Sequence, residues 1–203
     1  MGEYILSDML YGWYITDHWG GLSDPEKEHN ATLAMSYLRQ HDFTRYAAAG
    51  IVGNMWAESL MNPAQWNQDQ PFGAAYGLLQ WHPYTKYTDW AGADWEANGP
   101  LEMQLISYQR ENGLEFYPST QYPTWTWTKY AHFVPEEGLT ENETINQATE
   151  IWLLNYMRPG DPSSAHLANR QYHARYVFEN CAGLGIPPWL LLWWNNKNRK
   201  VIP

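Results

Sequence analysis

The chain has a single cysteine, Cys181, in 203 residues. No intrachain disulfide is available to it, and the expected place for Cys181 is ordinary packing at the end of an apolar helix face. Histidines are scattered: His29 and His41 flank one predicted helix, and His166 and His173 lie seven apart on another. With no HExxH, EF-hand loop or cysteine cluster, neither a metal site nor a cofactor is expected. No nucleophile elbow or phosphate-binding loop is present. Basic residues are few, 12 against 22 acidic ones, for a formal net charge of −10. Without a Lys/Arg stripe, nucleic acid is not an expected partner. The apolar run Trp189 to Trp194 is far too short to span a bilayer. The basic residues after it, Lys197, Arg199 and Lys200, leave membrane anchoring the less favoured role for that tail. The first residues lack a basic region and a clean apolar stretch, so no signal peptide is expected. Leu6 stands where a myristoylation motif requires Ser or Thr.

Phenylalanine is scarce as well, at 5 residues, whereas Trp and Tyr number 13 and 15. Both abundant rings carry a polar handle, which suits places where one side stays wet, such as a carbohydrate groove or a protein-facing surface. The length suits one well-cored domain with short appendages. Three segments are expected: an aromatic arm over 1–24, a helical domain over 25–183, and a Trp-rich tail or linker over 184–203.

Helical spacing dominates the middle segment. Asp24-Pro25 reads as a helix start, with a capping carboxylate followed by Pro at the first position, and the helix runs to about Gln40. A second helix spans about Thr44 to Ser59. Its Gly50 and Gly53, three apart, weaken helix propensity and so suggest close helix packing. Residues 60–99 read mostly as loop, with a short strand or hairpin over 73–81. Pro100 opens a helix that Gly113 stops. Residues 114–138 form an irregular aromatic insert. Thr140 and Glu143 make a capping box for a helix carrying Ile145, Ala148, Trp152, Asn155 and Tyr156, and a last helix covers about Ser164 to Cys181. The expected architecture is mainly α, with a small loop or β-hairpin region beside the second helix.

The stretch from Ala47 to Trp81 holds the densest chemistry. Glu58 falls in the last turn of an apolar helix, where the helix dipole and partial burial both help a carboxyl keep its proton. An Asn62-Pro63 turn follows, then a polar loop, then Tyr76-Gly77-Leu78-Leu79-Gln80-Trp81. Taken alone, a Glu at a helix end is usually a solvated charge, and a loop Gln is usually a brace. Their joint context is more specific. Glu58-Ser59, Asn62-Pro63 and the 76–81 block resemble the phage tail lysozyme family, within the wider lysozyme and lytic transglycosylase superfamily. The approach Ala49-Gly50-Ile51-Val52-Gly53-Asn54 is also similar. So are Ala148-Thr149-Glu150-Ile151-Trp152, Tyr156-Met157-Arg158-Pro159 and Ala168-Asn169-Arg170-Gln171-Tyr172, so that the likeness covers about residues 28–180. One position departs from the pattern: members often carry an acid before Arg-Pro, where this chain has Met157.

The resemblance implies a lysozyme-like fold, a peptidoglycan glycan strand as substrate, and a phage virion tail as location. Other tail proteins are then expected partners, and the chain would be made in the host cytoplasm to act at the bacterial wall. It gives Glu58 the place of the catalytic acid and puts Gln80 in the sugar groove, with Tyr76 and Trp81 beside it. From the residues themselves, Trp56 or Trp66, with Trp81, are the rings suited to stacking on sugar faces, and burial of Trp56 is an equal expectation. A glycosidase also needs a group to manage the sugar cation. Asp69, Asp89 and Asp94 are the candidate second carboxylates for hydrolysis between N-acetylmuramic acid and N-acetylglucosamine. The alternative is internal attack by the sugar, as in lytic transglycosylases. The rival from another class is a non-catalytic glycan-binding or structural tail module, and a peptidase is a weaker third reading.

Overall fold

The structure, a computed structural model, describes residues 21–67, 74–97, 99–159 and 164–181. The expected N-terminal arm and Trp-rich tail lie almost wholly outside these residues. Seven α-helices are described: α1 Asp24–Gln40, α2 Arg45–Ser59, α3 Thr85–Ala91, α4 Gly99–Glu111, α5 Trp127–Ala131, α6 Glu141–Trp152 and α7 Ser164–Asn180. Strands β1 Trp66–Asn67 and β2 Ala75–Tyr76 pair antiparallel, Trp66 facing Tyr76. The fold is thus mainly helical with one small hairpin, as expected.

Helix α2 is the axis. It packs against α1, α6 and α7, and its residues from Ala47 to Trp56 are all buried, the pattern of a helix enclosed on every side. Gly50 and Gly53 make this enclosure possible. A Cβ on Gly50 would come within 2.9 Å of the Ala148 carbonyl carbon on α6, and one on Gly53 within 2.5 Å of Ala148's counterpart on α7, the Ala174 Cβ. Added methyl groups would push two helices away from the axis. Thr44 caps α2, accepting from the Ala47 N–H, and Leu60 ends it in a left-handed conformation.

Several expectations are corrected. The N-cap of α1 is Ser23, not Asp24, and Glu26 accepts from both the Ser23 N–H and its hydroxyl. The 60–99 stretch is not mostly loop, since α3 and a 3-10 turn over Gly92–Ala97 occupy its second half. The 114–138 insert contains α5 and sends Phe116, Trp125, Trp127, Tyr130 and Phe133 into the core. Helix α6, capped by the Thr140–Glu143 box, continues as a π turn over Leu153–Met157.

Half of the 20 Trp and Tyr rings among the described residues are buried, and several of them use their polar handles inside. Tyr130 donates to Ala47 O and Ala148 O, Trp127 to Leu114 O, Tyr156 to Gln109 Oε1, and Tyr87 to Trp95 O. Phenylalanine would fill the same volume and leave those acceptors short of a donor.

Candidate active site

Glu58 stands one residue before the end of α2. Where the sequence suggests an apolar surround, the structure gives this carboxyl a cationic partner. Arg170 of α7 donates through Nη2 to Glu58 Oε1 at 2.5 Å. The Glu58 side chain is 23% exposed and that of Arg170 only 9%. The other terminal nitrogen of Arg170 donates to Asn54 Oδ1 at 3.1 Å and lies 3.9 Å from Met157 Sδ. Asn54 is buried, and its Nδ2 donates to Gly50 O and Thr149 O. The guanidinium is therefore fixed by a buried amide bonded to α2 and α6.

Glu58 borders a cavity of about 640 Å³, within the usual range for small-molecule sites. Leu79, Gln80, Trp81 and His82 form one part of its lining, and Tyr156, Met157, Arg158 and Pro159 another. Asn67, Ala75, Lys86 and Glu115 complete it. The 76–81 turn and Glu58 thus share one concavity.

A second, deeper acid holds that turn in place. Glu102 of α4 is fully buried. Its carboxyl accepts from the Leu78 N–H at 2.8 Å, the Leu79 N–H at 3.4 Å and the Trp81 indole N–H at 3.1 Å. Gly77, at φ +86°, lies so close that a Cβ there would stand 2.1 Å from Glu102 Oε1. Only glycine accommodates both the left-handed backbone and that approach. Burial pushes the Glu102 carboxyl up to about 8, and the three N–H donors pull against that rise.

The other residues named from sequence separate into two groups. Gln80 and Trp81 border the cavity. Gln80 adopts φ +48° and donates through Nε2 to Gln65 O and Gly77 O at 3.0 and 2.9 Å, which braces the turn from inside. Tyr76 and Trp66 do not border the cavity. Tyr76 is buried, and both rings join a cluster with Trp95, Tyr84 and Tyr87 under the hairpin. Trp56 stacks on His173 with ring centroids 5.3 Å apart, as part of the core. Asp89 is exposed on α3 and away from the cavity wall. Asp94 falls in the 3-10 turn, its side chain outside what the structure describes, and Asp69 lies outside the described residues.

No local motif singles out Arg170, Glu102 or Glu115 as a site residue. Signals existed for the first two. Glu102 falls in register with Leu105, Ile106 and Gln109, and Arg170 in register with Ala174 and Val177. A charge on an apolar helical stripe has to find a partner inside. Glu115 lies in irregular chain with no period to mark it.

Residues 29–181 match the phage tail lysozyme family. The chain belongs to that family. Morphogenesis protein 1 of Bacillus phage B103 is 29% identical over 168 residues, which are 81% of this chain and 42% of the relative. The chain therefore spans less than half the length of that relative. The family match takes in Glu58, the 76–81 turn, Glu102 and Arg170 together.

Proposed function

We propose that this protein cuts the glycan strand of bacterial peptidoglycan between N-acetylmuramic acid and N-acetylglucosamine, as part of a phage tail during entry. Residues 25–183 form the catalytic domain in this reading, with 1–24 as an aromatic arm and 184–203 as a Trp-rich tail or linker. The observation that carries it is the shared cavity: Glu58 and the Gln80–Trp81 turn border the same sugar-sized space. Glu58 delivers the proton to the leaving oxygen. Arg170, bonded to Oε1, meets the negative charge that Glu58 acquires as the proton departs. Gln80 and Trp81 supply an amide and an indole edge to the bound sugar.

Digestion of purified peptidoglycan, with mass analysis of the products, tests the reading. The wild type should release glycan fragments, and Glu58→Gln should slow that release by about 10²- to 10⁴-fold while leaving binding to the wall intact. Reducing-end products would indicate hydrolysis and 1,6-anhydro products transglycosylation. Equal wall binding with no cutting by the wild type would favour a glycan-binding module. Stem peptides freed without glycan cleavage would favour a peptidase.

A further inference from the structure

Hydrolysis at Glu58 calls for a second group that handles the attacking water, and Asp89, the one suggested aspartate whose side chain is described, is not placed in the cavity wall. Glu115 is. It is the other acid among the described residues that border the space. Its backbone is left-handed, at φ +61°, as is that of Arg158, at φ +51°, whose Nη2 donates to Glu115 Oε2 at 3.2 Å. Arg158 in turn lies 4.4 Å over the Tyr117 ring. A non-glycine residue in this region persists only where its surroundings over-determine it, and here they do. The Leu114 N–H donates to Gln109 O, the Trp127 indole donates to Leu114 O, Phe116 is buried, and the Tyr117 N–H donates to Asn155 O at 2.8 Å. Every neighbour of Glu115 is pinned to α4, α5 or the π turn, while its own carboxyl stays partly open to solvent, at 38% exposure. That is how a scaffold holds a reactive group against a cleft.

We infer that Glu115 is the second catalytic carboxylate, the base that activates water; the inference rests on the glycosidase reading above. In the step, a water oxygen bonds to the anomeric carbon and gives one proton to Glu115. The glycosidic C–O bond breaks with its electron pair going to the leaving oxygen, which takes the proton of Glu58. The product keeps a free reducing end and has inverted configuration at the anomeric carbon. Solvent then returns a proton to Glu58 and takes one from Glu115.

The test compares the wild type, E58Q, E115Q, E115A and R158A on purified peptidoglycan. E115Q should lower kcat by about 100-fold or more with KM within about 3-fold, since the amide can still accept from Arg158 but takes no proton. Azide needs no base, so sodium azide should restore turnover of E115A and yield a glycosyl azide of inverted configuration. R158A, which keeps the carboxylate, should retain at least about a tenth of the wild-type rate. E115Q within about 3-fold of wild type overturns the inference, as does an equal fall in E115Q and R158A, which would make Glu115 a prop for the arginine. E115A that azide does not revive, or a wild type releasing only 1,6-anhydro products, overturns it also. Each of those results leaves the glycosidase reading standing so long as E58Q is inactive; a wild type that cuts no glycan ends both.

Discussion

Glu58 and Glu102 are two carboxylates set beside the same turn, and they are treated in opposite ways. Glu58 keeps a quarter of its side chain open to the cavity and has an arginine for a partner. Glu102 is sealed and has three N–H donors for partners, with no cation among its hydrogen bonds to the described residues. A buried carboxyl without a cation has to be satisfied by neutral donors, and here those donors belong to the turn that walls the cavity. One acid is placed to meet a ligand; the other fixes the shape of the place where the ligand would sit. Acidity alone would not separate them, and their partners do.

The widest gap between them should appear in paired variants. Glu58→Gln removes the proposed proton donor, so the rate should fall by about 10²- to 10⁴-fold, while its stability should shift less than that of the Glu102 variant, because the amide oxygen can still accept from Arg170. Glu102→Leu should do the reverse in kind. It leaves the Leu78 and Leu79 amides and the Trp81 indole without their acceptor, and unfolding free energy should drop by about 3–5 kcal/mol. Urea midpoints and glycan-release rates on the same preparations read both effects. A Glu102→Leu protein of wild-type stability would break the comparison, and so would a Glu58→Gln protein that melts early.

The pH dependence of stability sharpens it further. Burial raises the Glu102 carboxyl from 4.5 to about 8 in the folded chain. Between those values the native state holds a proton that the unfolded chain has released, so this group's contribution to stability declines as pH rises. It is most favourable below about pH 4.5 and levels off above about 8. The net charge of −10 adds its own repulsion over the same range. The difference between wild type and Glu102→Gln isolates the single carboxyl: the wild type should lose stability relative to the variant between about pH 5 and pH 8. A flat difference would show that the three donors cancel the effect of burial.

What the sequence made legible follows the same division. Helix α6 was readable because Thr140 and Glu143 mark its start with side chains that bond the first turn. The packing of α2 was readable because Gly50 and Gly53 carry a helix cost that only close approach explains. Helix α3 was not, since Tyr84 at its N-cap makes no side-chain capping bond and the surrounding Pro and Gly residues resemble loop punctuation. In the site, Glu58 and the 76–81 block stood out by local context. Arg170, 112 residues from Glu58, and Glu102, 24 from Leu78, act only through tertiary contact, which local context does not report. For Trp66 and Tyr76 local context does not discriminate, because a ring suited to stacking on sugar is equally suited to stacking on another ring, as both do here.

Gln80 tests the boundary between the two kinds of residue, because it borders the cavity and also braces the turn. Its Nε2 bonds to Gln65 O and Gly77 O, yet each carbonyl has another donor: the Gly77 N–H reaches Gln65 O at 2.9 Å, and the Gln80 N–H reaches Gly77 O at 3.2 Å. Gln80→Ala therefore orphans neither acceptor and should cost only about 1 kcal/mol. If the amide oxygen also receives a hydrogen bond from the sugar, KM should rise about 5-fold or more with kcat less affected, the pattern of lost ground-state binding. Urea melts and steady-state kinetics on soluble glycan fragments measure the two quantities. Lower stability with unchanged KM would assign Gln80 to the same side as Glu102, as part of the wall and not of the grip.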